Sequence, residues 1–202
     1  MSSSVAAKPT RIVVLLGYAF LFLGVIILSR LYWEPLKQET RYTLSRVGDT
    51  PTRALEPVNT DFALVIDKIG ATAPVVANVN PLDSGIYQRA LTRGVAHADG
   101  TSLPGEGGNI FLFAHSSANP TDAARFNSVF YLIHHLVPGD EIKVWYRERE
   151  FVYIVSETQT VSPDRVEYLS PLTNGEQLTI MTCWPPGTTL RRLVVVAKPR
   201  QL

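Results

Sequence analysis

The sequence predicts a mainly β domain, a closed barrel or a sandwich, carried on an N-terminal transmembrane helix. Three observations predict it. Residues 12–29 form an uncharged and almost wholly apolar run. From residue 61 onward, short runs rich in β-branched and aromatic residues alternate with turns containing Gly and Pro. Only two stretches of that region carry a helical pattern, which leaves many short strands to build the core.

The apolar run comes first. Eighteen residues at 1.5 Å each span roughly 27 Å, close to the hydrocarbon thickness of a bilayer. Leu31, Tyr32 and Trp33 extend it with aromatics suited to an interface. A cleaved signal peptide is the rival, but Leu28-Ser29-Arg30-Leu31 has no Ala-x-Ala pattern. The expected organisation is therefore an N-terminal tail at 1–11, an anchor at 12–33, a stalk at 34–60 and a folded domain at 61–202. Lys8 and Arg11 precede the span and Arg30, Lys37 and Arg41 follow it, so charge leaves its orientation open. The stalk is polar, punctuated by Pro35, Pro51 and Pro57, with room for one short helix between Lys37 and Val47.

Within the domain, strands are expected at 62–66, 73–76, 109–114, 141–146, 151–157, 178–181 and 193–197. Glu141-Ile142-Lys143-Val144-Trp145 alternates polar and apolar, as a strand with one wet face should. Pro138-Gly139-Asp140 and Asn174-Gly175-Glu176 supply turns. Helices are expected at 127–136 and at 82–91.

A chain of 202 residues that is 46% hydrophobic can build a core without disulfides or metal. A net charge of +1 with no basic stripe argues against nucleic acid. One Cys and scattered His lack zinc-ligand spacing, and Asp83, Asp99 and Glu106 make no calcium loop. No metal and no cofactor is expected.

Cys183 is the single cysteine. It sits where the apolar run Leu178-Thr179-Ile180-Met181-Thr182 gives way to Trp184-Pro185-Pro186-Gly187, an edge position rather than a core one. A second apolar run begins at Arg191-Arg192, and an antiparallel hairpin would bring Arg192 back toward Cys183. His115 ends the apolar run 110–114 beside a polar Ser116-Ser117. His134 and His135 read as structural or surface residues, and His97 lies in a Gly-led approach. A thiol needs a neighbouring cation to become a thiolate at neutral pH. A guanidinium can also hold the oxyanion formed when a carbonyl is attacked. Cys, His and Arg together suit acyl transfer through a thioester.

Four stretches in order resemble the sortase family: Leu64-Val65-Ile66-Asp67-Lys68-Ile69-Gly70; Gly94-Val95-Ala96-His97 leading to Leu103-Pro104-Gly105-Glu106; Gly108-Asn109-Ile110-Phe111-Leu112-Phe113-Ala114-His115; and Thr179-Ile180-Met181-Thr182-Cys183 with Arg192 beyond it. Ile180 stands where the signature has Leu, and Ala114 where Gly is common. The resemblance implies an eight-stranded β-barrel on the outer side of a bacterial membrane, with the N-terminus inside. It implies Cys183, His115 and Arg192 as the catalytic set, with Thr182 placing the substrate and framing the oxyanion site. The implied partners are surface proteins bearing a C-terminal sorting signal similar to Leu-Pro-x-Thr-Gly, and an amine acceptor in a peptidoglycan precursor or a pilin lysine. The pilin-polymerising branch carries an N-terminal lid and a C-terminal span; this sequence shows neither, so an anchoring or specialised enzyme is expected. The loop 184–188 resembles the class D- and E-like groups. A peptidase of the same fold that only hydrolyses, and a non-catalytic binding module tethered to the membrane, stay open as alternatives.

Overall fold

The structure is a computed structural model and describes residues 8–47, 54–116, 129–170, 172 and 174–201. Eight strands close into a barrel. They are β1 (Phe62–Ile66), β2 (Ala71–Val79), β3 (Val95–Ala98), β4 (Gly108–Phe113), β5 (Glu141–Tyr146), β6 (Arg149–Val161), β7 (Glu176–Trp184) and β8 (Arg191–Pro199). Among the described residues two α-helices accompany them, α1 (Lys8–Val47) and α2 (Ser84–Leu91). The order around the barrel is β1-β2-β3-β4-β7-β8-β6-β5, closed by the antiparallel pairing of β1 with β5.

Two neighbours are parallel, β2 with β3 and β4 with β7. Parallel neighbours need a crossover. Between β2 and β3 it is α2, whose first turn is capped by Asp83 accepting from the Ile86 amide at 3.0 Å. Gly94 follows α2. A Cβ there would lie 2.1 Å from the Pro74 carbonyl oxygen, so the chain can re-enter the sheet only as glycine.

Inward side chains fill the barrel by period-two alternation: Leu64 and Ile66, Ile110 and Leu112, Ile142 and Val144, Leu178 and Ile180. The turn after β1 is pinned from two sides. Asp67 accepts from the Leu55 amide at 2.7 Å and pairs with Lys143 at 2.7 Å, while Lys68 pairs with Asp140 at 2.6 Å. Gly70, at φ +65, ends that turn in the left-handed region.

The sequence expectations meet the structure with four differences. β1 and β5 have the expected limits, four of the other five expected strands are longer at both ends, and β4 starts and ends one residue earlier than expected. β3 was not expected: Val95-Ala96-His97-Ala98 is buried at every position, so no alternation marks it. The helix expected at 127–136 is corrected. Residues 127 and 128 lie outside the described residues, and the rest forms turns and a 3-10 segment, Ile133–His135. Phe130, Ile133 and Leu136 are its buried residues, at a spacing of three, which is the repeat of a 3-10 turn. Finally, α1 is one helix of 40 residues that runs through the expected break at Glu34-Pro35, in place of a span followed by a separate short helix.

One half-buried polar hub ties the barrel wall to the loop before β4. The Tyr153 hydroxyl donates to Glu176 Oε1 at 2.7 Å, and Glu176 Oε2 accepts from the amides of Gly105 and Gly107 at 2.9 and 3.0 Å. Burial, then the Glu176 contact, pushes the Tyr153 hydroxyl far above the ordinary tyrosine range. The folded state thus holds this proton more tightly than the unfolded chain does. Its stability contribution is complete below pH 10 and is lost as pH rises beyond it. Tyr153→Phe should lower unfolding free energy by about 1.5–3 kcal/mol, the worth of a hydrogen bond to a charged group. In urea titrations run from about pH 8 to pH 11 it should also lose part of the alkaline decline seen in the parent chain.

Candidate active site

The candidate residues lie on the outer face of three adjoining strands, β4, β7 and β8. On β7, Leu178, Ile180 and Thr182 are buried and face inward, and Cys183 points the other way, half-buried. On β8, Arg192 is the residue directly opposite Cys183, with Met181 opposite Val194 one step earlier on that face. Side chains directly opposite in an antiparallel pair have Cβ atoms about 4.5–5.5 Å apart. The hairpin read from the sequence therefore exists in the register it requires.

His115 arrives from the other side. β4 runs parallel to β7 with Phe113 beside Met181, so two residues further on His115 comes level with Cys183. The pairing continues past the strand end: the Ala114 amide donates to the Met181 carbonyl at 3.4 Å, and the Thr182 hydroxyl donates to the Ala114 carbonyl at 2.7 Å. Adjacent strands are about 4.8 Å apart. The backbone positions of His115, Cys183 and Arg192 thus come level across one end of the sheet.

Each flanking side chain has a described partner. A carbonyl oxygen can only accept, so His115 donates its Nε2 proton to Gln88 Oε1 of α2 at 3.2 Å. The Arg192 guanidinium donates to the Arg191 and Thr189 carbonyls at 3.2 and 3.4 Å, folding over the β7–β8 turn. Thr182 is buried, and its hydroxyl is committed to Ala114. Its bond acts on the backbone that presents His115.

Apolar side chains pave the same face toward Cys183. Val161, Val194 and Val196 pack with Met181 and with Tyr168 from the β6–β7 connection. That connection is tied down by Asn109, whose Nδ2 donates to the Tyr168 carbonyl at 2.7 Å and whose Oδ1 accepts from the Thr179 hydroxyl at 2.7 Å.

The remaining histidines separate. His97 is fully buried on β3. It accepts from the Asn78 amide on Nδ1 at 3.3 Å and donates from Nε2 to the Ser102 carbonyl at 3.0 Å, which makes it a brace for the loop after β3. Burial pulls its pKa below the ordinary histidine value. His134 and His135 come to the edge of the site, the His134 ring 5.1 Å from that of Trp184. Sequence spacing gave no signal for this, because their partner is Glu39 of α1, 96 residues before His135. Apart from Ser116, which is buried, the segment 116–125 lies outside the described residues.

A family model described as the sortase domain matches residues 64–200. The chain belongs to the sortase family. Among curated sortases it is 27% identical to sortase D of Bacillus subtilis (strain 168) over 138 residues, 67% of this chain and 61% of the relative. It is 26% identical to sortase SrtE1 of Streptomyces coelicolor over 220 residues, 96% of this chain and 59% of the relative. The chain thus spans about 60% of the length of these sortases. Among solved sortase structures, a lid mutant of sortase A from Corynebacterium diphtheriae superposes with a TM-score of 0.58 at 25% identity, covering 75% of each chain.

The Thr182–Ala114 bond gives this sortase domain a direct test. Thr182→Val keeps the side-chain shape and leaves a buried carbonyl without its donor, which should cost about 1–3 kcal/mol in urea unfolding. A loss under about 0.5 kcal/mol would show that water or backbone shifts replace the hydroxyl.

Proposed function

We propose that the chain is a membrane-anchored cysteine transpeptidase that cleaves a sorting signal similar to Leu-Pro-x-Thr-Gly and passes the acyl group to an amine. The observation that carries this reading is the row His115, Cys183, Arg192 across three adjoining strands of a sortase-family barrel. In the proposed cycle the Cys183 thiolate attacks the Thr carbonyl carbon of the signal. Arg192 turns its donors to the oxyanion. The tetrahedral intermediate collapses, the Thr–Gly bond breaks, and His115 delivers a proton to the departing amine. A thioester to Cys183 remains. An amine from a cell-wall precursor or a surface-protein lysine then attacks it, His115 takes the proton from that nitrogen, and the thiolate is restored with a new amide bond formed. Thr182 contributes by holding the backbone before His115 level with Cys183.

The anchor belongs to the same proposal. Residues 11–30 within α1 are long and apolar enough to cross a membrane, and none of them is buried. This reading puts the N-terminus inside and the barrel on the outer side of a bacterial membrane. Hydrolysis is the same chemistry with water as acceptor, so the acceptor dependence separates the two.

Incubating the chain in detergent with a signal-like peptide and a small amine should give an acyl adduct on Cys183 and a ligated product by intact mass spectrometry. Cys183→Ala should abolish both, and His115→Ala should fall to background. Arg192→Lys should lose about 10²–10³-fold in turnover, the scale of one oxyanion donor. An adduct that resolves only to free acid at every amine concentration would favour the peptidase. A Cys183 inert to every peptide and to iodoacetamide would favour the binding module.

A further inference from the structure

Where α1 meets the catalytic domain, three metal-ligating side chains converge. Glu39 of α1 faces His134 and His135 of the 3-10 segment, and one ligand atom from each lies within 4.8 Å of the others. His135 Nε2 is 3.2 Å from Glu39 Oε2, and His134 Nε2 is 3.6 Å from Glu39 Oε1. Ligands 2.0–2.1 Å from a tetrahedral zinc ion sit about 3.3–3.4 Å from one another. Each histidine nitrogen lies near that distance from one oxygen of the Glu39 carboxylate.

The hydrogen bonding of His134 favours a cation between these groups. Its Nδ1 lies 3.1 Å from the Tyr131 carbonyl. A carbonyl can only accept, so Nδ1 carries the proton. In the neutral ring Nε2 is then a bare lone pair, and it faces a carboxylate oxygen. Two acceptors face each other unless a positive charge joins them. A divalent ion resolves the conflict. A ring N–H donated to a backbone carbonyl is also the usual outer partner of a metal-bound histidine. His135 is held as well, stacked on Tyr42 of α1 with ring centroids 4.1 Å apart and an interplanar angle of 17°. All three ligands are partly exposed, so an ion can reach them.

We propose that Glu39, His134 and His135 bind a zinc ion that clips the anchor helix to the catalytic domain. Two imidazoles and a carboxylate suit zinc, with a fourth position for water. The clip lies beside Trp184, the residue after Cys183. The site does not depend on the transpeptidase reading.

The test uses the full chain in detergent micelles in a Cys183→Ala background, which removes the thiol as a competing zinc ligand. The protein is loaded with zinc sulfate and dialysed against metal-free buffer. Bound metal is read by inductively coupled plasma mass spectrometry, and affinity by competition with a chromophoric zinc indicator. One zinc per chain is expected, lost in His134→Ala/His135→Ala and weakened at least tenfold in Glu39→Gln, with circular dichroism unchanged. The His134 and His135 ring nitrogen signals in the NMR spectrum of the Cys183→Ala chain should also shift on zinc addition. Those signals keep the test readable should the double variant fail to fold. Zinc retention equal to that of the double variant, or ring signals indifferent to zinc, overturns the site. Unchanged affinity in Glu39→Gln overturns the clip, since the anchor helix would then supply no ligand.

Discussion

Strands β4 and β7 run side by side in the same direction, and the Thr182 hydroxyl carries their pairing one residue beyond the last strand position by bonding the Ala114 carbonyl. Everything at the candidate site follows from that continuation. Without it the chain after Phe113 would be held to β7 by the Ala114 amide alone, a 3.4 Å bond to the Met181 carbonyl. With it, the antiparallel β7–β8 hairpin need only supply Arg192 on the opposite flank. Two kinds of pairing meet on one central strand, and the alignment of three backbone positions is their product. A side chain buried in the wall thereby governs the position of one exposed on the rim.

A second constraint works at the far end of the same strand. Glu176 begins β7 and gathers the Tyr153 hydroxyl and two loop amides onto one carboxylate. Three donors on one half-buried carboxylate hold the elements that carry them together. β7 is thus held at both ends, by Glu176 at its start and by Thr182 near its finish. Between these points lie the residues that pave the outer face.

Much of this architecture was legible in the sequence, because period-two alternation and turn residues mark strands directly. That is why β1 and β5 have the limits their patterns imply. The same alternation contains the orientation of Thr182: if Cys183 faces out, its predecessor faces in, and its hydroxyl must find a partner in the wall. β3 escaped because a strand buried on both faces carries no alternation, and Ala and His are weak strand formers. The segment before Pro138 gave a helical impression from apolar spacing that belongs to a tighter turn. The neighbouring of β4 and β7, and of Glu39 with His134 and His135, joins residues some 70 to 100 positions apart. Spacing rules read local sequence and cannot see such pairs.

The unbroken α1 changes what the proposed tether does. Forty residues of helix are about 60 Å long, of which the apolar stretch takes about half. The remainder is a stiff strut, and Glu39 and Tyr42 on it touch the catalytic domain. A flexible stalk would let a tethered enzyme sample a hemisphere of positions, with its reach growing as the square root of length. A strut gripped near its end works as a spacer instead. It confines the cleft to a narrow range of heights above the bilayer, so encounters would favour a substrate whose own span stops its signal at that height. Partner choice would then be set partly by altitude, before any side chain of the cleft reads a residue.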